Sequence, residues 1–515
     1  MDPQYERTHE PADSADPTAS AADRMSARSE PVPDYRRRLV RGGVALAASL
    51  LTYGAVAGGL LRFGAPVQVG LLVGVVAGLL AGGIADSAVA GGLAILLGVV
   101  LMDAADMTAA LPLIWVSLLV SAGVGAGLAW WLRRGPRKLR SWIAVGAIVL
   151  IVGNFWFAAL TMDLRAEPGQ PTALDQLSQV PPAGVVLSDN TFYQRVLWMV
   201  DGGQGYYQAF RQAYNENARW GTDPASAISY RFPTLFWFWK LLPGKPLGIV
   251  LAMIVLSTIG ILSGVWIVRE QAHVAFAVPV AAVLAAYFLN PSTTNGMLYQ
   301  EAWAVPLGLL GVALTVSSYV RRPMRRWLVA GVALAVLATL VRETMGYLIV
   351  AGALASLFAP AEERRFRVGA WLAGAAVVGV AFALHVQAVG DAVARDQTVA
   401  AWLNGGPASL WAGLTWATTS IAGAWVVPAC AALALVGTAM ARDRELRAYG
   451  LAAVVLALAM ITVFGNDAIN DFATLSGRVN YWGFISAPVL IAFAGWAPAV
   501  ALRAGRSQAE RTGAP

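Results

Sequence analysis

The chain has 515 residues, of which 57% are hydrophobic and only 13% charged, with a mean hydropathy of +0.60. Soluble domains carry about 25% charged residues, so these totals exclude an ordinary soluble domain and point to a polytopic, all-α membrane protein. Lys and Arg exceed Asp and Glu by 37 to 30, but the basic residues lie mostly between apolar spans, which speaks for topology rather than nucleic-acid binding. The single Cys430 forbids an intramolecular disulfide, and His9, His273 and His385 have no metal-ligand spacing.

Residues 1–41 are polar and poor in large apolar side chains, which reads as a disordered cytoplasmic tail. The run 42–61 follows the basic cluster Arg36, Arg37, Arg38 and Arg41 and is long enough to be a retained span rather than a cleaved signal. At about 20 residues per crossing, further spans are expected near 67–84, 88–102, 111–132, 141–160, 247–268, 272–290, 302–320, 327–341, 343–358, 368–389, 418–440, 448–464 and 482–502. That is a bundle of about fourteen spans.

Alternate loops carry the basic runs at 133–140, 269–270, 321–326, 362–367 and 442–447, whereas the short loops between them hold only Arg62, Arg395 and Arg478. The positive-inside rule then places both termini, including the tail 506–515, in the cytoplasm of a cell-membrane protein. Residues 42–140 form a four-helix module rich in Gly, Ala and Val. Its spans 42–132 suit close helix packing and docking of a membrane partner. The region 141–505 follows, interrupted by an outer segment, 161–246, much longer than ordinary connections.

Within that segment, Ser188, Asp189, Asn190 and Thr191 suit a helix N-cap, and Phe192, Val196 and Met199 or Val200 recur at helical spacing. Asp189 and Tyr193 are four apart and share a helix face. The glycines of "DGGQG" end this helix, and "YYQAFRQAY", with Tyr206 and Tyr207, begins a second amphipathic helix suited to the membrane interface. In "YRFPTLFWFWKLLPGKP", Pro233 fits a first helical turn and the aromatics fit the headgroup belt, with Arg231 at the start. Alone, Asp189 reads as a cap and Arg231 as a snorkelling anchor.

Ionisable groups in apolar spans are functional hypotheses by default. Trp327 to Phe358 is an apolar stretch of 32 residues, about 48 Å as one helix, too long for one span and too short for two. A hairpin with Arg342 and Glu343 at its tip, just below the outer surface, resolves this. Glu301 opens a span on the same side, where the helix dipole favours a carboxylate, and Arg478 stands before the last span. Topology thus brings Asp189, Arg231, Glu301, Arg342, Glu343 and Arg478 to one membrane face.

The order of these motifs resembles the GT-C superfamily of integral-membrane glycosyltransferases, related to dolichyl-phosphate-mannose mannosyltransferase-like proteins. The resemblance rests on "SDNTFYQRVLWMVDGGQGYY", "YRFPTLFW", Glu301, Arg342 and Arg478, and covers roughly residues 141–505. It implies transfer of a sugar from a polyprenyl-phosphate donor, at the outer membrane face, to a glycan, lipid or protein acceptor of the cell envelope. Asp189 would be the base, with Asp201 and Asp163 as alternatives. Arg342, Arg231 or Arg478 would stabilise the leaving phosphate, and Tyr193, Tyr206 and Tyr207 would line a sugar subsite. No Asp-x-Asp motif, P-loop or dinucleotide fingerprint speaks for a nucleotide donor. No cofactor is called for, and a divalent metal stays open. A transporter or flippase of lipid-linked precursors is the rival reading, although it predicts internal repeats and midplane polar groups. His385 is the one such group, and a hydrogen-bonded histidine accounts for it. A non-enzymatic membrane assembly partner is the third.

Overall fold

A computed structural model describes residues 137–164, 177–180, 189–216, 230–293, 295–321, 324–390, 405–419, 426–464 and 482–497. The expected tails, the four-helix module 42–140 up to residue 136, Arg478, and the side chains of Asp163 and Asp189 lie outside the described residues. In chain order the described helices are α1 (Arg137–Leu164), α2 (Asp189–Asp201), α3 (Tyr206–Glu216), α4 (Thr234–Leu241), α5 (Leu247–Arg269), α6 (Ala277–Thr293) and α7 (Gln300–Val320). Then come α8 (Arg325–Val341), α9 (Tyr347–Ser356), α10 (Ala361–Val389), α11 (Pro407–Thr419), α12 (Val426–Ala439), α13 (Arg444–Val463) and α14 (Trp482–Ala494). Among the described residues there is no strand.

Helices α5, α7, α10 and α13 are long and apolar enough to cross a membrane, by length and composition, and shorter apolar helices stand at 144–160, 277–289, 427–439 and 482–494. The run expected as one span at 418–440 contains all of α12 and only the end of α11. The helix Pro407–Thr419 was not anticipated, although a proline at a first helical position is a known start signal. The core runs along α5, α6, α7, α9, α13 and α14, which pack on one another. Close approach of α7 and α8 depends on missing side chains: a Cβ at Gly331 would stand 2.5 Å from Thr315 Oγ1 and 3.0 Å from the Gly311 carbonyl oxygen.

Polar groups collect at the two ends of the bundle. At one end Arg321 pairs with Glu270 at 2.8 Å, and the buried Arg367 donates to Glu445 at 2.7 Å and to Glu363 at 2.8 Å. Glu445 lies in the first turn of α13, whose cap Asp443 accepts from the Glu445 and Leu446 amides at 2.9 and 3.2 Å. The other end holds the start of α7, the break between α8 and α9, and helices α2 to α4.

That break is the expected hairpin. Arg342 leaves α8 with extended backbone (φ −145°, ψ 113°), a single 3-10 turn Glu343–Gly346 follows, and α9 returns. Its arms have 17 and 10 residues, both shorter than a crossing, so the tip stops within the bundle. The arms part: α8 lies along α7, and α9 against α13 and α10. At the turn the Arg342 amide donates to the Ala338 carbonyl at 2.8 Å and the Met345 amide to the Arg342 carbonyl at 2.9 Å, the kind of pairing that buried irregular backbone requires.

Removing one partner of a buried ion pair strands the other, typically at a cost of about 3–5 kcal/mol. Glu445→Ala should therefore lower the thermal midpoint of the purified protein in detergent markedly. Glu363→Ala, which removes the more exposed acid, should lower it less.

Candidate functional site

The site starts from Arg342. Its side chain is 1% exposed, too deep to snorkel to water, so partners must hold it. Its Nε lies 2.7 Å from Glu301 Oε1, supplied by the first turn of α7. Its Nη1 lies 3.3 Å from Glu343 Oε2 in the turn that follows, and the guanidinium sits 5.3 Å from the Trp482 ring at the start of α14. The third nitrogen, Nη2, is buried without a hydrogen-bond acceptor, and Nε meets Glu301 as an ion pair without hydrogen-bond alignment. A guanidinium carries five N–H donors in a fixed fork, and each buried donor left unmet costs about 1–3 kcal/mol or more.

Next to Glu301 in the chain, in the first turn of α7, Gln300 is 1% exposed, and neither its Oε1 nor its Nε2 has a hydrogen-bond partner. The Thr344 hydroxyl, within the tip itself, is also buried and unbonded. One end of the bundle therefore holds a cationic donor, an amide that both donates and accepts, and a hydroxyl, all desolvated and waiting for polar partners.

Helices α2 to α4 close over this end through an aromatic chain. Phe192 of α2 meets Phe210 of α3 at 4.9 Å, Phe210 stacks on Tyr230 at 4.6 Å, Tyr206 meets Phe236 of α4 at 5.0 Å, and Trp239 meets Trp303 of α7 at 5.9 Å. The predicted apolar face of α2, Phe192, Val196, Met199 and Val200, is buried, and Gln194, Arg195 and Leu197 are buried with it. The aromatic face of α3 differs from expectation. Tyr206 and Phe210 are buried against α2, Tyr230 and α4 rather than turned to the interface, because such short helices must bury their largest apolar groups against one another to be held. The exposed apolar surface lies instead on Trp198, Trp237, Phe238 and Leu241.

Tyr193 links this cover to the charged end. It accepts a hydrogen bond from Arg231 and feels the charges of Glu301 and Arg342 as well. Burial holds its hydroxyl above the ordinary tyrosine range; the Arg231 charge pulls it down, Glu301 pushes it up and Arg342 opposes that push. The Tyr206 hydroxyl is held well above the usual value, first by burial and then by its tyrosine neighbours, and that of Tyr207 is raised by burial. Tyr206 donates to the Arg231 carbonyl at 2.6 Å, and the Tyr207 hydroxyl lies 3.0 Å from His385 Nδ1. Both hydroxyls are thus engaged within the protein.

Of the sequence-predicted residues, Tyr193, Arg231, Glu301, Arg342 and Glu343 come together, with Tyr206 and Tyr207 bracing them. Asp201 does not join them: it is exposed at the far end of α2 and pairs with Lys245. It stands eight residues beyond Tyr193, about 12 Å along the helix, whereas Asp189 is one turn before Tyr193. Gln300, Thr344 and Trp482 were missed. A polar side chain beside Glu301 in the first turn of an apolar span was the available signal for Gln300. Among the described residues no group of three or more His, Cys, Asp or Glu could hold a metal ion. No family model, curated protein or solved structure matches the chain.

Tyrosines with raised values favour the folded state fully below the ordinary value of about 10, and that contribution is lost as pH rises through the folded values. Thermal midpoints measured across this range should fall with pH. Tyr206→Phe should lower the midpoint at neutral pH by loss of its hydrogen bond to Arg231 and make the alkaline decline shallower.

Proposed function

We propose that this chain is an integral-membrane glycosyltransferase of the GT-C kind it resembles, with about fourteen spans, both termini cytoplasmic and its site at the outer face of the cell membrane. It would move a sugar from a polyprenyl-phosphate donor to a glycan, lipid or protein acceptor of the cell envelope. The observation that carries this reading is Arg342. It is a buried guanidinium fixed between Glu301 and Glu343, with Nη2 unmet, which suits an anionic oxygen such as that of a lipid phosphate.

In the proposed reaction the hydroxyl oxygen of the acceptor attacks the anomeric carbon while Asp189 takes its proton. The bond from that carbon to the phosphate oxygen breaks, and its electron pair leaves with the lipid phosphate. Negative charge grows on that phosphate, and Arg342 and Arg231 stabilise it. Two carboxylates and Trp482 keep Arg342 in place before substrate arrives, so no reorganisation is needed as charge develops. Tyr193, one turn along from Asp189, supports the choice of Asp189 over Asp201, since it already contacts the charged end. Gln300 and Thr344 offer donors and acceptors suited to sugar hydroxyls. The apolar exposed side chains Trp198, Trp237, Phe238 and Leu241 give the cover a surface for the outer leaflet and the prenyl chain. The arginine of the outer loop before α14, Arg478, is a further phosphate contact in this reading, and the spans 42–132 would dock a membrane partner.

The deciding experiment supplies polyprenyl-phosphate hexoses and pentoses to the purified protein with envelope glycan acceptors. Asp189→Asn should abolish transfer while leaving the thermal midpoint unchanged, and wild-type activity in that variant would remove Asp189 from the base role. Arg342→Gln should lower kcat by about a hundredfold or more. Gln300→Leu should weaken binding of the sugar-bearing lipid but not that of the bare polyprenyl phosphate. Movement of lipid-linked substrate across proteoliposomes with no glycosylated product would instead favour a transporter.

A further inference from the structure

His385 lies near the end of α10 and is 3% exposed, yet nothing in the proposed chemistry uses it. Its Nε2 is 3.1 Å from the Tyr230 carbonyl oxygen, and its Nδ1 is 3.0 Å from the Tyr207 hydroxyl. A carbonyl oxygen only accepts, so in the neutral ring Nε2 carries the proton and Nδ1 accepts from Tyr207. Phe232 packs on the imidazole at 4.8 Å between centroids. Arg211 of α3 donates to the Val389 carbonyl at 3.1 Å, tying the end of α10 to the cover a second time.

The Tyr230 carbonyl belongs to the peptide unit that contains the Arg231 amide. The next peptide unit, which contains the Arg231 carbonyl, accepts from Tyr206 at 2.6 Å. Residues 230–232 lie outside regular secondary structure, so no helical ladder fixes their dihedrals. Two side chains do so instead, one on each peptide plane flanking the Arg231 Cα. With both planes held, φ and ψ of Arg231 are set, and its side chain starts in the direction of Tyr193, which it hydrogen-bonds.

We infer that His385 is a positioning residue for Arg231. From the end of α10 it fixes the backbone that aims the Arg231 guanidinium at the anion site. The inference rests on the proposed role of Arg231 in holding the donor phosphate. It gives the only histidine of the described spans' interior a task that operates through geometry and not through proton transfer.

The test uses full-length wild type and the variants His385→Ala, His385→Gln, Arg231→Ala and the double variant His385→Ala/Arg231→Ala. His385→Ala should lower kcat/KM with a polyprenyl-phosphate sugar by about tenfold, the scale of one lost buried hydrogen bond. His385→Gln keeps an N–H that can reach the Tyr230 carbonyl and should restore most of that loss. The double variant should be no worse than Arg231→Ala alone, because a residue acting only through Arg231 has nothing left to position. Losses that multiply in the double variant, or no rescue by glutamine, would overturn the role. Hydrogen exchange of the peptide covering residues 230–233 is read in parallel. It should accelerate in His385→Ala and return to wild-type rates in His385→Gln, and an unchanged rate in the alanine variant overturns the inference. If wild type transfers no sugar from any polyprenyl donor, the glycosyltransferase reading falls, and exchange alone still decides whether His385 holds this segment.

Discussion

A guanidinium cannot be buried alone, and the arrangement of this end of the bundle follows from how Arg342 is accommodated. Its charge demands carboxylates, and they come from two directions: Glu301 from the start of α7 and Glu343 from the residue next along the chain. That demand fixes the depth of the hairpin tip relative to α7. It also requires α8 to end at Val341, since a continuous helix would carry residue 342 onward at helical dihedrals instead of the extended ones observed. Close contact of α7 with α8 at Gly311 and Gly331, and of Gly308 with Met345 of the turn, holds the hairpin tip against α7.

The opposite end solves a similar problem differently. Arg367 is as buried as Arg342, but its acids Glu363 and Glu445 are joined by full hydrogen bonds, and the Tyr319 ring covers it at 4.9 Å. Nothing about Arg367 asks for a ligand. Arg342 differs in that Nη2 has no partner and Nε only an ion pair without a hydrogen bond, and the side chain of Gln300, next along the chain to its partner Glu301, is unmet entirely. This contrast between a closed and an open ion cluster in one bundle separates an end built for stability from one suited to binding. On the proposed reading, the open cluster holds a lipid phosphate and its sugar, while α2 to α4 carry the base and cover the reaction from the aqueous side.

The cover is itself held from outside its own sequence. Helices of 13, 11 and 8 residues are at or below the length at which isolated helices are stable in water, so their order comes from aromatic packing, including that on Trp303 of α7, and from hydrogen bonds to α10. Tyr206 and His385 meet on the two peptide units around Arg231. A span distant in sequence thereby sets the direction of an arginine in a short irregular segment. On the proposed reading, such a device suits a site that takes a long lipid from one side and an acceptor from the other without losing the relative placement of its charges.

Much of this was determined by sequence alone. Apolar runs specify α5, α7, α10 and α13 because burying backbone polar groups in hydrocarbon leaves helices as the solution. The 32 residues from Trp327 to Phe358 required a hairpin by length, and alternation of loops brought Arg231, Glu301, Arg342 and Glu343 to one end. The short helix Asp189–Asp201 and its buried face were legible from spacing. Tertiary structure decided what spacing does not encode. It selected which acids pair with Arg342, left Gln300 without partners, turned the α3 aromatics inward, and placed His385 on the Tyr230 carbonyl across 155 positions of chain. Local patterns report which face of an element is apolar. Which polar groups are satisfied, and by whom, depends on distances between elements that only the packed bundle sets.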